Sequence, residues 1–374
     1  MTSRERLLRT LRGEEVDRVP ISLYEFDGFY DNWIYDYPEY REIIQYAKKK
    51  TDKMYFWGPP EESSLFYGKL NEEDIGTIEW REGKSLYTRR RVKTPKGELS
   101  SLSRQDEGLH TSWAIEHLCK DEKDVEKVLS LPYVPWIPPV DSFFELDRQL
   151  GDSGIVLVDL ADALCLTAEL FGFARFLNFY IDNPGFIFKL MDFFQERIYN
   201  FLQYLLGKGV TTLYRICGPE FATPPYLSPT EFEKLVTAYD QKLINLLHRY
   251  GGLARLHCHG KIRKVLGSFL KMEIDATDPV EPPPDGDIGL REARQILGKK
   301  VTLIGNIEER HLEIGTKDDV EVAVKKAIEE GAERGPFILC PTSMPLTTPL
   351  DKKIQENIIH YINCGIKYGG KTFK

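Results

Sequence analysis

The chain has 374 residues, 42% of them hydrophobic, enough to bury a large core. Its formal net charge is −8 with acids and bases intermixed and no long basic block, which argues against a nucleic-acid partner. No run approaches the ~18 apolar residues of a membrane span, the N-terminus leads into a charged helix instead of a signal peptide, and six cysteines without a Cys-x-x-Cys pair suit free thiols in a reducing cytoplasm.

Residues 3–11 pattern as a helix, with Ser3 as its N-cap and Leu7, Leu8 and Leu11 on the apolar side. Residues 19–23 enter a first strand. Its exit, Tyr24-Glu-Phe-Asp-Gly-Phe-Tyr30, alternates aromatics with Glu25 and Asp27, and reads as a cleft wall or as a rim that packs on itself. A short helix over 40–50 precedes a strand-like, turn-rich stretch containing an arginine-rich hairpin near residues 87–98, whose charges mark an exposed edge. Residues 54–110 are expected to form an inserted β-rich cover outside the central sheet.

Helices are expected over 117–129 and 142–151, joined by the proline-rich linker 131–139. A buried strand over 155–160 delivers Asp159 to its end. The helix over 184–207 places Phe186, Phe188, Leu190, Phe193, Ile198 and Leu202 in the core. A strand over 210–216 ends in Cys217-Gly-Pro-Glu220. Ser228 then caps a helix that starts with Pro229 and runs to 250. The strand Leu253-Ala-Arg-Leu-His-Cys-His-Gly260 follows; period-two alternation puts His257 and His259 on one face and Cys258 on the other. Further strands are expected over 274–276, 301–304 and 337–339, with helices over 262–269, 288–297, 316–330 and 355–365 between or after them. This alternation points to parallel β/α units, and the count approaches eight. The expected fold is a single (β/α)8 TIM barrel spanning 1–374. An open doubly wound sheet is disfavoured because no Gly-x-Gly-x-x-Gly follows a strand.

In a barrel, the loops after the strands build the active site. These ends carry Glu25, Asp27, Asp159, Cys217, Glu220, His257, His259, Asp275, Asn306, Glu308, Cys340 and Ser343. Imidazole, sulfur and carboxylate together suit zinc. The best ligand set is Glu220, His257, His259 and Cys340, with Glu220 or His259 the member that could move to an orienting role and Cys217 an alternative to Glu220. Asp159 and Asp275 could orient ligands or accept a proton, or simply cap loop amides, and Asn306 and Ser343 are candidates for contacting a cofactor. Such a zinc could polarise an ether or alcohol oxygen, or activate water.

Several segments together resemble the uroporphyrinogen decarboxylase superfamily, a (β/α)8 barrel. They are Leu11-Arg-Gly-Glu-Glu-Val-Asp-Arg-Val-Pro20, Leu227-Ser-Pro229 with His248 and Gly251, Leu256-His-Cys-His-Gly260, Leu303-Ile-Gly-Asn-Ile307 and Gly315-Thr-Lys-Asp-Asp-Val320. The decarboxylases carry an arginine-rich segment after the first strand, whereas residues 24–30 here offer acids and aromatics. The resemblance is therefore to the cobalamin-linked methyltransferase branch, which holds zinc through a His-x-Cys-Gly strand end and a later cysteine. His257 falls on that histidine and His259 on the cysteine; Ser343 stands at the later cysteine's place, with Cys340 three residues earlier. The resemblance implies transfer of a methyl group from an aryl or alkyl methyl ether to Co(I) of a corrinoid on a separate protein, with Glu25 and Asp27 reading the donor. A decarboxylase, or a metal-dependent lyase or hydrolase, is the alternative. A cytoplasmic monomer or homodimer is expected.

Overall fold

Seven strands run parallel: β1 (Lys53–Trp57), β2 (Gly154–Ala161), β3 (Leu213–Cys217), β4 (Leu253–His257), β5 (Ala276–Asp278), β6 (Thr302–Ile307) and β7 (Phe337–Pro341). They are hydrogen-bonded in that order. Near-continuous burial, as in β2 and β7, is what a parallel sheet covered on both faces requires. The structure, a computed structural model, describes residues 1–23, 33–60, 64–109, 111–345 and 347–370.

Residues 19–23 make one bridge, Ile21 to Leu339 of β7, where the sequence suggests a full strand. On that side the Ser22 amide donates to the Leu339 carbonyl and the Leu339 amide to the Pro20 carbonyl. On the other side the Asp52 amide donates to the Ile21 carbonyl, and the Asp52 carboxylate accepts from the Ile21 amide. This segment therefore bonds next to both edges of the sheet. Arg6 and Arg18 both donate to buried Asp52 and compensate its charge. The closing helix Lys352–Gly369 lies close to the same segment: a Cβ at Gly365 would stand 2.9 Å from Ile21 Cδ1.

Two compact units emerge. The first comprises Met1–Gly58, Val140–Leu160 and Val210–Lys374. Its core gathers Leu7 and Leu11 of the N-terminal helix Ser3–Leu11 with Met54, Ile155, Leu213, Ala276, Ile304 and Ile338. Residues 53–57 belong to this sheet and not to a cover, because Met54 and Phe56 alternate into the core. The N-cap of the first helix is Thr2, one residue before the expected Ser3.

The second unit comprises Pro59–Pro139 and Ala161–Gly209. It contains a four-stranded antiparallel meander, Ile75–Glu82, Ser85–Thr94, Gly97–Asp106 and Ser112–Glu116. The expected hairpin is its centre, with Arg89 paired to Glu116. The helix expected from 117 begins only at Glu122, because Asp121 is its N-cap and accepts from the Asp124 amide. In the helix Pro184–Gly207 the buried phenylalanines are Phe194 and Phe201. Phe186, Phe188 and Phe193 are half-buried, and Arg197 lies 3.9 Å over the Phe193 ring. Among the described residues no single helix is long and apolar enough to cross a membrane.

Candidate active site

Alternate side chains of each strand face the same way, so the inward set can be followed along the sheet. Toward the strands' N-terminal ends it is apolar, with Leu213, Leu253, Ala276 and Ile304. Two residues further on, β3 and β4 carry Arg215 and Arg255, and two more bring Cys217 and His257. The parallel strands end on one edge, so charge and chemistry accumulate there.

Arg255 and Asp278 are both buried. Arg255 donates through Nε and Nη2 to the two Asp278 oxygens at 2.5 Å, a forked pair. His257 Nδ1 adds a third bond to Asp278 Oδ2 at 2.8 Å. Burial by itself would raise the Asp278 pKa, but the charge of Arg255 and the hydrogen bonds from Arg255 and His257 outweigh it and hold the carboxyl far below the usual range.

The second histidine repeats the arrangement. His259 Nδ1 lies 3.0 Å from Glu281 Oε1, and the other Glu281 oxygen accepts the Gly260 amide at 2.9 Å. Burial would lower the His259 pKa, but the bond to Glu281 and its charge raise it, with Asp278 and Glu220 adding to the effect. A carboxylate only accepts, so each Nδ1 must donate and each neutral ring presents its lone pair at Nε2. The two rings meet edge to face with centroids 4.7 Å apart. The expected shared direction of His257 and His259 is thus what the structure has, and Cys258 is buried.

The other expected residues divide. Asp159 stands on the same edge, where it accepts both Nε and Nη2 of Arg215, whose guanidinium lies 4.5 Å over Phe56. Cys217 is the register neighbour of His257, and burial pushes its thiol pKa well up. Glu220 follows in a short turn and accepts the Gly218 amide. Asn306 donates to the Val280 carbonyl and lines a cleft of about 720 Å³ with Glu308, Arg310 and His311. Ser343 lies two residues beyond β7, half-buried. Glu25 and Asp27, with the aromatic wall of 24–30, lie outside the described residues.

Two placements correct the expectation. Asp275 precedes β5 and so lies at the opposite edge, where it accepts from the Ala254 amide and pairs with His248. The Asp275 amide donates to the Ala254 carbonyl and its carbonyl accepts from the Thr302 amide, so it leads directly into β5. Cys340 lies within β7, which runs on to Pro341, and packs with Ile338 in the core. Burial pushes its thiol up to about 12, with Arg255 pulling the other way. Among the described residues, the only trio of His, Cys, Asp or Glu donor atoms lying within 4.8 Å of one another is Glu321, His360 and Cys364. Glu220, His257, His259 and Cys340 are therefore not gathered as four ligands.

Arg255, Asp278 and Glu281 were not singled out in the sequence. For the two acids the signal was Asp278-Pro-Val-Glu281, which begins at the last residue of a strand whose neighbour ends at His257.

Residues 145–354 match the family model described as Uroporphyrinogen decarboxylase (URO-D). Two proteins named uroporphyrinogen decarboxylase, from Geobacter metallireducens and Geobacter sulfurreducens, are 33% and 32% identical over 140 residues; the match covers 37% of this chain and 37% of the length of either relative. A solved structure described as a methyltransferase from Methanosarcina mazei superposes with a TM-score of 0.61 at 14% identity, covering 98% of this chain and 99% of that one, a likeness of fold. With more than half of its length inside the matched region, this chain belongs to the uroporphyrinogen decarboxylase family.

Proposed function

We propose that this chain is a zinc-dependent methyltransferase of its family, moving a methyl group from an aryl or alkyl methyl ether to the Co(I) of a separate corrinoid protein. The observation that carries the reading is the pair of carboxylate-anchored imidazoles at the strand-end edge. A ligating histidine commonly donates its other ring nitrogen to a carboxylate, which fixes the tautomer and raises ligand basicity; His257 with Asp278 and His259 with Glu281 both meet that requirement. Nε2 of each ring would be the metal-facing donor, and Cys217 or Glu220, neither of which forms a trio with the two rings within 4.8 Å, would have to move in as the third ligand. Zinc bound there would supply Lewis acidity toward a substrate oxygen. The fold likeness to a protein described as a methyltransferase supports the same direction.

The chain's own residues have separate tasks in this scheme. Asp278 holds His257 and neutralises Arg255, so the imidazole stays fixed without leaving a buried charge uncompensated. Glu281 does the same for His259 and ties the Gly260 turn. The Asp159–Arg215 pair on Phe56 borders the same edge and would orient the donor. Residues 19–23 would complete a closed (β/α)8 barrel with the seven strands. Six free cysteines among the described residues agree with a cytoplasmic setting, and the corrinoid protein would be the partner of a monomer or homodimer.

Methyl transfer from candidate ethers to free cob(I)alamin, followed by its absorbance change, tests the reading. Activity should fall at least ~100-fold in His257→Ala and in His259→Ala. Full activity in both variants would end the proposal. Decarboxylation is the second reading, favoured by the names of the two curated relatives. It requires release of carbon dioxide from a carboxylated substrate without methylcobalamin formation.

A further inference from the structure

Away from the strand ends, on the outer helices, His360 and Cys364 stand one turn apart on the helix Lys352–Gly369, facing Glu321 of the helix Lys317–Gly331. Cys364 Sγ lies 3.4 Å from His360 Nε2, and that nitrogen lies 3.8 Å from Glu321 Oε2. Around a tetrahedral zinc with bonds of about 2.3 Å to sulfur and about 2.0–2.1 Å to nitrogen or oxygen, ligand atoms sit roughly 3.3–3.6 Å apart. The two edges at His360, 3.4 and 3.8 Å, are close to those of such a tetrahedron, and all three donor atoms lie within 4.8 Å of one another.

The remaining Glu321 oxygen is occupied. Oε1 accepts from Lys367 Nζ at 2.7 Å and from the Tyr368 hydroxyl. These bonds orient the carboxylate so that Oε2 faces the histidine, in the manner of outer groups that aim a metal ligand. Cys364 is buried while His360 and Glu321 are partly exposed, so the cluster opens to solvent on its imidazole and carboxylate side.

We infer that Glu321, His360 and Cys364 form a second metal site, specific for a thiophilic divalent ion such as zinc, that clamps the closing helix to its neighbour. Sulfur, imidazole and carboxylate suit zinc over calcium or magnesium, which take oxygen. Binding replaces the thiol S–H bond with a sulfur–metal bond and releases the proton to solvent, so affinity rises with pH. Water completes the coordination on the exposed side. Without a metal the same groups form a thiol–imidazole contact beside a carboxylate–lysine pair, and this is the competing account.

Cobalt(II) titration of the full chain discriminates them, because a cobalt–thiolate bond produces an intense near-ultraviolet charge-transfer band. Wild type and the double variant His257→Ala/His259→Ala should both show the band. Adding Cys364→Ser to that double variant should abolish the band, and adding His360→Gln or Glu321→Gln to it should weaken cobalt binding about 10-fold or more. Far-ultraviolet circular dichroism identifies any variant that has lost its fold; Glu321→Gln changes a partly exposed group and keeps the test available if the cysteine variant misfolds. Retention of the band when Cys364→Ser is added to the folded His257→Ala/His259→Ala variant, its loss in that double variant itself, or its absence from wild type would overturn the inference.

Discussion

Replacing Asp278 with asparagine removes one charge from the inside of the first unit and changes little volume. Asp278 accepts two bonds from Arg255 and one from His257, distributed over both oxygens. An asparagine presents an amide nitrogen at one of those positions, so at least one donor then faces another donor. Arg255, 1% exposed, is left as a buried cation without its counter-charge. Removing one partner of a buried pair costs about 3–5 kcal/mol, a large share of the roughly 5–15 kcal/mol by which domains are stable. Urea denaturation followed by circular dichroism reads the loss as an earlier midpoint. The folded-state pKa of Asp278 is depressed, so its contribution is present above the unfolded value of about 4 and is lost only as pH falls through the much lower folded value. The deficit of Asp278→Asn should therefore be equal at about pH 5 and about pH 8. Adding Arg255→Met should recover much of it, since the buried cation is removed with its partner. A single variant within about 1 kcal/mol of wild type, or a double variant no better than the single, would refute the argument that Arg255 and Asp278 compensate each other.

Glu281→Gln should lower the His259 pKa. Because that pKa is raised in the folded state, the stabilisation is complete below the unfolded value of about 6.5 and disappears as pH rises through the folded one; titration of the His259 ring by NMR checks both parts, and an unmoved midpoint would contradict them. Asp275→Asn should cost only about 1 kcal/mol, in keeping with its partly exposed pair to His248, and should leave methyl transfer intact; a large loss of kcat without destabilisation would restore it as a catalytic group. Gly286→Ala should destabilise by about 1–3 kcal/mol, because its Cβ would lie 2.0 Å from the Glu281 carbonyl and force that backbone to move. The same shift should release His259, seen as a lowered His259 pKa in the NMR titration.

The alternation of apolar strands and capped helices after residue 155 was legible because each element carries its own period and its own stop. The helix expected from Thr316 is an instance: Thr316 caps it, and the structure adds a capping box with Asp319. Strand ends were harder to read. Cys340 and Asp278 extend strands by one or two residues beyond their apolar runs, since an inward cysteine or a charge-compensated aspartate does not look like a strand residue until its neighbours are known. Asp275 was misplaced at the other end of the same strand, since it leads into β5 where the sequence suggested it left it. The two histidines needed no neighbours, because carrying the period-two alternation of β4 two residues past its end at His257 already sets their common face. Their carboxylate partners come from another strand and a loop more than twenty residues away, which no local pattern encodes.

Parallel register explains why the partner of His257 is Asp278 and not another acid. In β4 and β5 the aligned pairs are Arg255 with Ala276, Leu256 with Thr277 and His257 with Asp278. A slip of one residue would turn Asp278 to the opposite face and leave Arg255 and His257 without it. Arg255 blocks that slip: it is nearly fully buried, reaches two positions along the neighbouring strand, and must find a carboxylate there. The ion pair thus sets the register that delivers the imidazole's orienting group, and one buried aspartate links the stability of the sheet to the geometry of its functional edge.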